Sequence, residues 1–308
     1  MKRVSIIIVS WNTRQLLEEC LESVQDELAA LGNAAVETFV VDNASDDGSV
    51  AMVQARFPWV QRIENRTNIG FARANNQAIA VSSGEYVLLL NPDTRLLPGA
   101  LATLVSFMEQ TPAAGAAGSR LLNADGSLQR SCYRAPTVAR EFWRLFHLDK
   151  LYPFAEYPIH SWPAASPRTV DIVQGASMII RRRALEDAGT LDETYFMYSE
   201  EVDLCERIRR AGWEIYWVPG SAVIHYGGQS TRQVADAMFI RLYEGKILFF
   251  RKHYGPLAVW LYKIVLFLSS LPRIALSLLA AFERMPRRQQ HRTLAARYWR
   301  LVQQLPGL

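Results

Sequence analysis

Five side chains, far apart along the chain, have the types and settings of a group-transfer site. Asp42 ends the run VVD, and Asp93 ends Asn91-Pro92-Asp93 directly after YVLLL. Glu200 and Glu201 stand in SEEVDL, and His225 stands in VIHYGGQS. A carboxylate delivered by an almost wholly apolar strand can meet Mg2+ or Mn2+, hard cations that take one or two carboxylates and complete their shell with phosphate oxygens. Such an ion neutralises a departing diphosphate. An acid at 42 can accept hydrogen bonds from a nucleobase N–H or a ribose hydroxyl. A carboxylate at 200 or 201 can take a proton from an attacking hydroxyl. His225 suits Mn2+ better than Mg2+, and it counts as a ligand only where its loop folds back onto Asp93.

Each segment also has a plainer reading. Asn-Pro-Asp is a common turn. Asp46 and Asp47 precede Gly48-Ser49, and as aspartates they suit a helix cap. In NIGFARANN, Gly70 permits a tight turn into a helix whose N-terminus favours an anion, with Arg73 placed to pair with phosphate, yet a simple helix start explains Asn68 and Gly70 almost as well. Acids at a helix start are favoured by the macrodipole, and Asp203 is spaced to pair with Arg207.

The elements that must position these groups alternate in type. Apolar runs at Val4–Val9, Glu37–Val41, Val60–Ile63 and Tyr86–Leu90 predict strands. Helical spacing predicts helices over Arg14–Leu31, Ser49–Phe57, Ala72–Val81 and Pro98–Met108. This alternation predicts an α/β fold with a parallel sheet covered on both faces. Ser10-Trp11-Asn12, Asp42–Ser49 and Asn91–Thr94 follow strands, at the carboxyl edge where open sheets bind ligands. Residues 133–169 are rich in proline and aromatic rings, an irregular excursion of the kind that forms lids, with one short helix at Val138–Leu145. A strand at Val170–Ile180, a helix at Glu200–Ala211 and a strand at Trp213–Val218 follow.

The chain has 308 residues, half of them hydrophobic, enough for a substantial core. Its three cysteines are widely spaced, which argues against a disulfide framework or a zinc ribbon. No GxGxxG follows the first strand, which excludes a dinucleotide oxidoreductase. A nucleotidyltransferase would need a glycine-rich phosphate loop where VSWNTRQ stands.

Seven segments in order, SIIIVSWN, VVDNASDDGS, NIGFARANN, LLLNPDT, QGASMIIRR, FMYSEEVDLCERIRRAGW and HYGGQS, resemble the family-2 glycosyltransferases of GT-A fold, most of all their rhamnosyltransferase-like branch, over roughly residues 4–230. The resemblance implies a mostly parallel sheet flanked by helices and single-displacement, inverting transfer from a nucleotide-sugar to a saccharide or lipid-linked saccharide. It implies donor contacts from Ser10, Asn12, Asp42, Asn68, Gly70, Arg73, Asn75, Asn91 and Asp93, with Asn91 in place of the first acid of a DxD motif. It implies Mg2+ or Mn2+ at Asp93 and His225, a base at Glu201 with Glu200 as alternative, and a sugar pocket at Gly175, Ala176 and Ser177. A non-catalytic scaffold of the same fold is the remaining rival.

The division expected is a catalytic part over 1–250, with halves 1–120 and 121–250, and a basic amphipathic tail over 251–308. Residues 1–250 carry a net charge of −5 and the tail +9. In the tail, Lys263, Ser270, Arg273, Ser277 and Arg284 share one stripe, and the uninterrupted apolar stretches between such residues are short for a span. The tail predicts a helix lying on an anionic membrane surface through residues 257–300, kinked at Pro272, with a helical pair packed on the catalytic part or a dimer contact as the alternative, and it argues against nucleic-acid binding. The apolar run after Met1 is too short for a signal peptide, so the expected location is the inner face of the cytoplasmic membrane.

Overall fold

The structure is a computed structural model that describes residues 3–31, 36–163, 166–227, 235–279 and 287–308. Residues 228–230 of HYGGQS, Arg284 and the side chain of Ser277 lie outside what is described. Two compact units form, Met1–Ala135 with Pro158–Gln233, and Pro136–Tyr157 with Val234–Leu308.

The first unit begins with β1 (Val4–Ser10), α1 (Arg14–Leu31), β2 (Val36–Asp42), α2 (Ser49–Arg56), β3 (Gln61–Glu64), α3 (Phe71–Val81), β4 (Tyr86–Leu90), β5 (Thr94–Leu96), α4 (Ala100–Gln110), β6 (Ala114–Leu122) and β7 (Cys132–Tyr133). After α5 (Val138–Leu145), which belongs to the second unit, come β8 (Arg168–Thr169), β9 (Ile172–Val173), β10 (Ser177–Arg181), α6 (Arg182–Ala188), α7 (Glu200–Arg210) and β11 (Glu214–His225). The main sheet runs β3-β2-β1-β4-β10-β6-β11-β5, with β8 added on β11. β1 to β4, β6 and β11 point one way, and β5, β8 and β10 the other. β1 and β4 are buried along their whole length, which is why they read as unbroken apolar runs rather than alternating ones.

Register puts the chemistry on one edge. Ser10 lies opposite Asp42, Ile8 opposite Leu90, Ser177 opposite Leu90 and His225 opposite Thr94. The carboxyl ends of β1, β2, β4 and β11 therefore meet the start of the antiparallel β10.

Three strands depart from the sequence reading. The run expected over Val170–Ile180 is cut into β9 and β10 by the Gln174–Ala176 turn. β11 runs past Val218 to His225 because its register shifts between Val218 and Ala222, absorbing Pro219 and Gly220 in an irregularity. β6 is built from AGAAGSRLL, a poor strand former by propensity. Its small residues serve close packing, since a Cβ at Gly118 would stand 2.6 Å from the Val173 side chain.

The second unit packs α5, α8 (Ala235–Leu279) and α9 (Arg287–Gln304) around Ile247, Phe250, Tyr262, Leu266, Tyr298 and Leu301. The expected boundary at 250 falls inside α8, and the helix of the aromatic segment joins this unit. The reason is a buried charge cluster: Glu141 of α5 accepts from Lys246 Nζ at 2.9 Å and pairs with Arg144. α8 breaks at Gly255, with φ 80°, and not at Pro272, through which helical dihedrals continue. Pro256 opens the new helical stretch, where its missing N–H is no loss.

Two residues of the polar stripe turn inward. Ser270 is buried and donates to the Leu266 carbonyl at 2.6 Å. Arg273 donates to the Leu145 carbonyl at 2.6 Å. The outward face carries Leu257, Trp260, Leu261, Phe267, Leu268 and Leu271. With an 18-residue window of mean hydropathy 1.5, the helix over Ala235–Ala275 is long and apolar enough to cross a bilayer, a criterion of length and composition alone.

Candidate active site

The edge begins in two interlocked loops after β1 and β2. Asn12 adopts φ 50°, a left-handed geometry that asparagine tolerates better than most residues. Its Oδ1 accepts from Asp46 N at 2.9 Å, and its own N–H donates to Ser45 Oγ at 3.0 Å. Ser10 is fully buried and its hydroxyl meets Thr13 Oγ1 at 3.0 Å. Asp47 accepts from the backbone of Ser49 and of Arg14, so it serves the starts of both α2 and α1. Asp42 is buried, with Oδ2 accepting from Ser45 N at 2.9 Å and Oδ1 left without a hydrogen-bond partner. An unpartnered buried carboxylate oxygen is costly unless a ligand fills it.

The 68–76 segment differs from expectation. Asn68 Oδ1 accepts from Gly70 N at 3.0 Å, turning the chain. Gly70 has φ 88°, and a Cβ there would stand 2.5 Å from the Phe196 carbonyl oxygen. That carbonyl also takes the Phe71 N–H at 2.8 Å, so one amide of the α3 N-terminus is already engaged by protein. Arg73 is exposed and pairs with Glu193 at 3.1 Å, and Asn75 is buried and donates to the Phe71 carbonyl within its own helix. Both side chains are engaged by protein partners. The segment instead docks the loop that leads into α7.

Asn91 is tied to the start of β10 by its N–H, which donates to the Ala176 carbonyl at 3.0 Å. Thr94 Oγ1 donates to the Asn91 carbonyl at 2.7 Å, tightening the turn that presents Asp93. Beneath it lies Cys20 of α1, its Sγ 3.6 Å from the same carbonyl. Burial pushes the Cys20 thiol up to about 12, so it stays protonated and inert. Asp93 and His225 are both buried, with His225 Nε2 3.4 Å from Asp93 Oδ1. The fold-back on which a role for His225 depended is thus present, and the Tyr226 N–H completes it by donating to the Asp93 carbonyl at 2.9 Å.

Gly175, Ala176 and Ser177 split by role. A Cβ on Gly175 would lie 3.6 Å from Glu201 Cβ, so the glycine faces the acid pair closely. Ala176 is buried. Ser177 turns away from the edge, since its hydroxyl joins Ser119 and Ser221 in a buried chain with 2.8 Å contacts. Before α7, Tyr198 and Ser199 both adopt positive φ, 72° and 69°. Strained backbone of this kind persists where surroundings over-determine it, and it clusters at functional sites. It delivers Glu200, buried with Oε2 unpartnered, and Glu201, half-buried. Burial holds the Glu200 carboxyl well above the ordinary range, with the Glu201 charge adding to it, and burial also raises Glu201. Asp203 is structural, as its spacing predicts: it binds Arg207 Nε at 2.7 Å, and Arg207 also holds the Ala188, Gly189 and Thr190 carbonyls.

A divalent cation fits this edge. His225 Nε2 is buried and has no hydrogen-bond partner, and it faces a carboxylate oxygen. Among the described residues no third His, Cys, Asp or Glu completes a cluster. Phe196 and Gln129 escape the sequence reading. Neither residue type advertises its role, and only the NADGS turn before Gln129 marks a hairpin there.

Comparison with known proteins agrees with this geometry. The model for "Glycosyl transferase family 2" matches residues 5–187. An N-acetylglucosaminyl-diphospho-decaprenol L-rhamnosyltransferase of Mycobacterium tuberculosis is 31% identical over 245 residues, 73% of this chain and 76% of the relative. Rhamnosyltransferase WbbL of Escherichia coli K12 is 26% identical over 77% of this chain and 88% of its own length. Among solved structures, the mannosyltransferase PcManGT of Pyrobaculum calidifontis, in complex with GDP-Man and Mn2+, superposes with a TM-score of 0.57 at 18% identity, covering 97% of this chain and 85% of the other. TarS 1–349 of S. aureus gives 0.54 at 14% identity, over 99% and 91%. These structural likenesses bear on the fold, and it is the GT-A fold. With its sheet edge, its acid pair and its strand-end aspartates all in one unit, the chain belongs to glycosyl transferase family 2, in its rhamnosyltransferase-like branch.

Proposed function

We propose that the protein transfers a rhamnosyl group from a nucleoside diphosphate, thymidine diphosphate being the first to test, to a hydroxyl of a lipid-linked saccharide in surface polysaccharide synthesis. The acceptor class is supported by the decaprenol-linked substrate in the name of the M. tuberculosis relative. The observation that carries the reading is the buried Asp93–His225 pair, with Nε2 unpartnered, on the same sheet edge as two carboxylates held above their ordinary range.

Asp42 would receive the nucleobase or ribose, using the carboxylate oxygen that no protein donor fills. Strand spacing puts it two strands from the 91–93 turn, about 10 Å, a span a nucleoside diphosphate can bridge. Asn12 and Ser10 shape that end of the pocket, and Asn91 lines its middle. A divalent cation, Mg2+ or Mn2+, held by Asp93 and His225 would neutralise charge on the departing diphosphate. Glu201, beside Gly175, takes the acceptor hydroxyl proton as that oxygen bonds to the anomeric carbon. The carbon–phosphate oxygen bond breaks in the same displacement, and its electron pair leaves with the diphosphate. The configuration inverts. Glu200 is the second candidate for the base, being more deeply buried.

The test is transfer of tritiated rhamnose to a lipid-diphosphate acceptor, with and without Mn2+. Asp93→Ala is expected to lower kcat/KM at least 100-fold and to abolish the metal dependence of donor binding. Full activity in that variant sinks the reading.

The second unit supports work at a membrane surface. The six exposed apolar side chains of α8 from Leu257 to Leu271 fall within an arc of about 120° at 100° per residue, with Ser270 and Arg273 turned inward. The flanking Arg251 and Lys252 are exposed and suit anionic headgroups. Flotation with anionic vesicles checks this: Trp260→Glu with Phe267→Glu should leave the protein in the soluble fraction, and unchanged flotation would remove the membrane role.

A further inference from the structure

We propose that Gln129 is a positioning residue that locks the tautomer of His225 and so aims the Nε2 lone pair at the ion beside Asp93, an inference that rests on the metal reading of that pair. The argument starts from the amide. Gln129 Nε2 lies 3.1 Å from the His225 backbone carbonyl, which can only accept, and 2.9 Å from Asn123 Oδ1. The nitrogen end of the amide is therefore fixed, and its oxygen faces His225 Nδ1 at 2.6 Å. An amide oxygen only accepts, so Nδ1 must carry the hydrogen. In a neutral imidazole the other nitrogen then holds a lone pair. That nitrogen is buried, has no hydrogen-bond partner and stands 3.4 Å from Asp93 Oδ1. A lone pair and a carboxylate oxygen turned toward each other in a buried setting ask for a cation between them.

Gln129 is itself held. Its N–H donates to the Leu121 carbonyl at 2.9 Å. Asn123 is pinned by Ser127, whose carbonyl accepts from Asn123 N at 2.8 Å and whose Oγ accepts from Asn123 Nδ2 at 2.9 Å. Ser127 Oγ in turn donates to Asp125 Oδ1 at 2.6 Å, which settles the direction of the chain. The hairpin Asn123–Gln129 thus exists as a bracket for one imidazole. Groups that fix a ligating histidine through its second nitrogen typically contribute 10–100-fold in metal affinity.

The experiment uses the full chain labelled with 15N at its five histidines, with His225 assigned by loss of its signal in His225→Asn. Metal-free wild-type protein, at a pH well above the ordinary histidine range, should show His225 as the Nδ1–H tautomer. Gln129→Leu should move it toward Nε2–H and weaken Mn2+ binding 10–100-fold, read by electron paramagnetic resonance with thymidine or uridine diphosphate present. Gln129→Glu keeps an acceptor against Nδ1 but loses the two bonds of the amide nitrogen, so it should keep the Nδ1–H tautomer and hold Mn2+ more tightly than Gln129→Leu. An Nε2–H or doubly protonated ring in the wild type overturns the proposal with no variant needed. So does a Gln129→Leu protein whose Mn2+ affinity is unchanged. A wild type that binds no Mn2+ under any condition overturns the metal reading itself and with it the aim assigned to Nε2, a failure told apart from the others because the metal-free spectrum is recorded first. Should Gln129→Leu fail to fold, Asn123→Ala frees the amide without removing its oxygen, and the same two readouts apply.

Discussion

Two glutamates, one in each compact unit, are almost equally buried and opposite in surroundings. Glu141, in the helical unit, meets Lys246 Nζ at 2.9 Å and also pairs with Arg144. Burial alone would raise its carboxyl, but the ammonium and the guanidinium outweigh burial and hold it below the ordinary range. Glu200, at the sheet edge, has no cation beside it among the described residues, an unpartnered Oε2 and another carboxylate as its neighbour, and it is held well above that range. A fold that merely needed to bury a carboxylate would treat both as it treats Glu141. The difference teaches how the candidate site keeps polar capacity unspent: Glu200 Oε2, Asp42 Oδ1 and His225 Nε2 are among the buried atoms without a hydrogen-bond partner.

The largest effect should come from the glutamate beside Glu200. Glu201→Gln removes the proposed base while keeping shape, and kcat should fall about 10²- to 10⁴-fold with donor affinity retained. Single-turnover transfer separates the two. If Glu200→Gln shows that loss instead, the base moves by one residue. The pH profile sharpens the point. A base must be deprotonated to act, and both carboxyls are raised, so the acid limb of kcat/KM should lie above about 4.3, the value for an unperturbed glutamate. A limb at or below that value would mean neither acid is the base.

Next in size is the paired side. Lys246→Met strands Glu141 with Arg144 alone and should cost about 3 kcal/mol of folding stability, read by denaturant unfolding. Replacing the whole cluster, Glu141→Leu with Arg144→Leu and Lys246→Met, should recover most of it, because a buried charge cluster and well-packed apolar side chains are often near equal. If the triple variant is worse than the single one, the cluster does more than hold α5 to α8.

How much of this was legible in the sequence follows the same division. The strand-end positions of Asp42 and Asp93 could be read because β2 and β4 are apolar runs that stop at an acid. The bond from Asp203 to Arg207 could be read from spacing of four on a helix. Arg73 could not: its type suits phosphate, but Glu193 takes it, and no local pattern shows a partner 120 residues away; Asn75 suits phosphate too, and its bond to the Phe71 carbonyl follows only once the helix and its buried face are known. β6 was invisible because alanine and glycine signal neither period, and its reason for being small lies in Val173 and Trp213 across the fold. The inward turn of Ser270 and Arg273 is not legible in the sequence, because a polar stripe on a helix looks the same whether water or a buried carbonyl receives it.

The smallest effect is the most diagnostic of the comparison. Glu200, with its pKa raised on folding, contributes stability that is fully present below the unfolded value and is lost as pH rises through the folded one. Glu141, with its pKa lowered, does the reverse, and its contribution is lost as pH falls. At neutral pH the edge should therefore be a net cost to the fold. Glu200→Gln removes the charge but not the volume, and should stabilise the protein by about 1 kcal/mol there, with the gain shrinking toward acid pH where Glu200 is already neutral. Thermal unfolding of wild type and variant across that range reads both sign and slope. A variant that is less stable than wild type at neutral pH would show that Glu200 has a charged partner after all, and the contrast between the two glutamates would no longer mark the site.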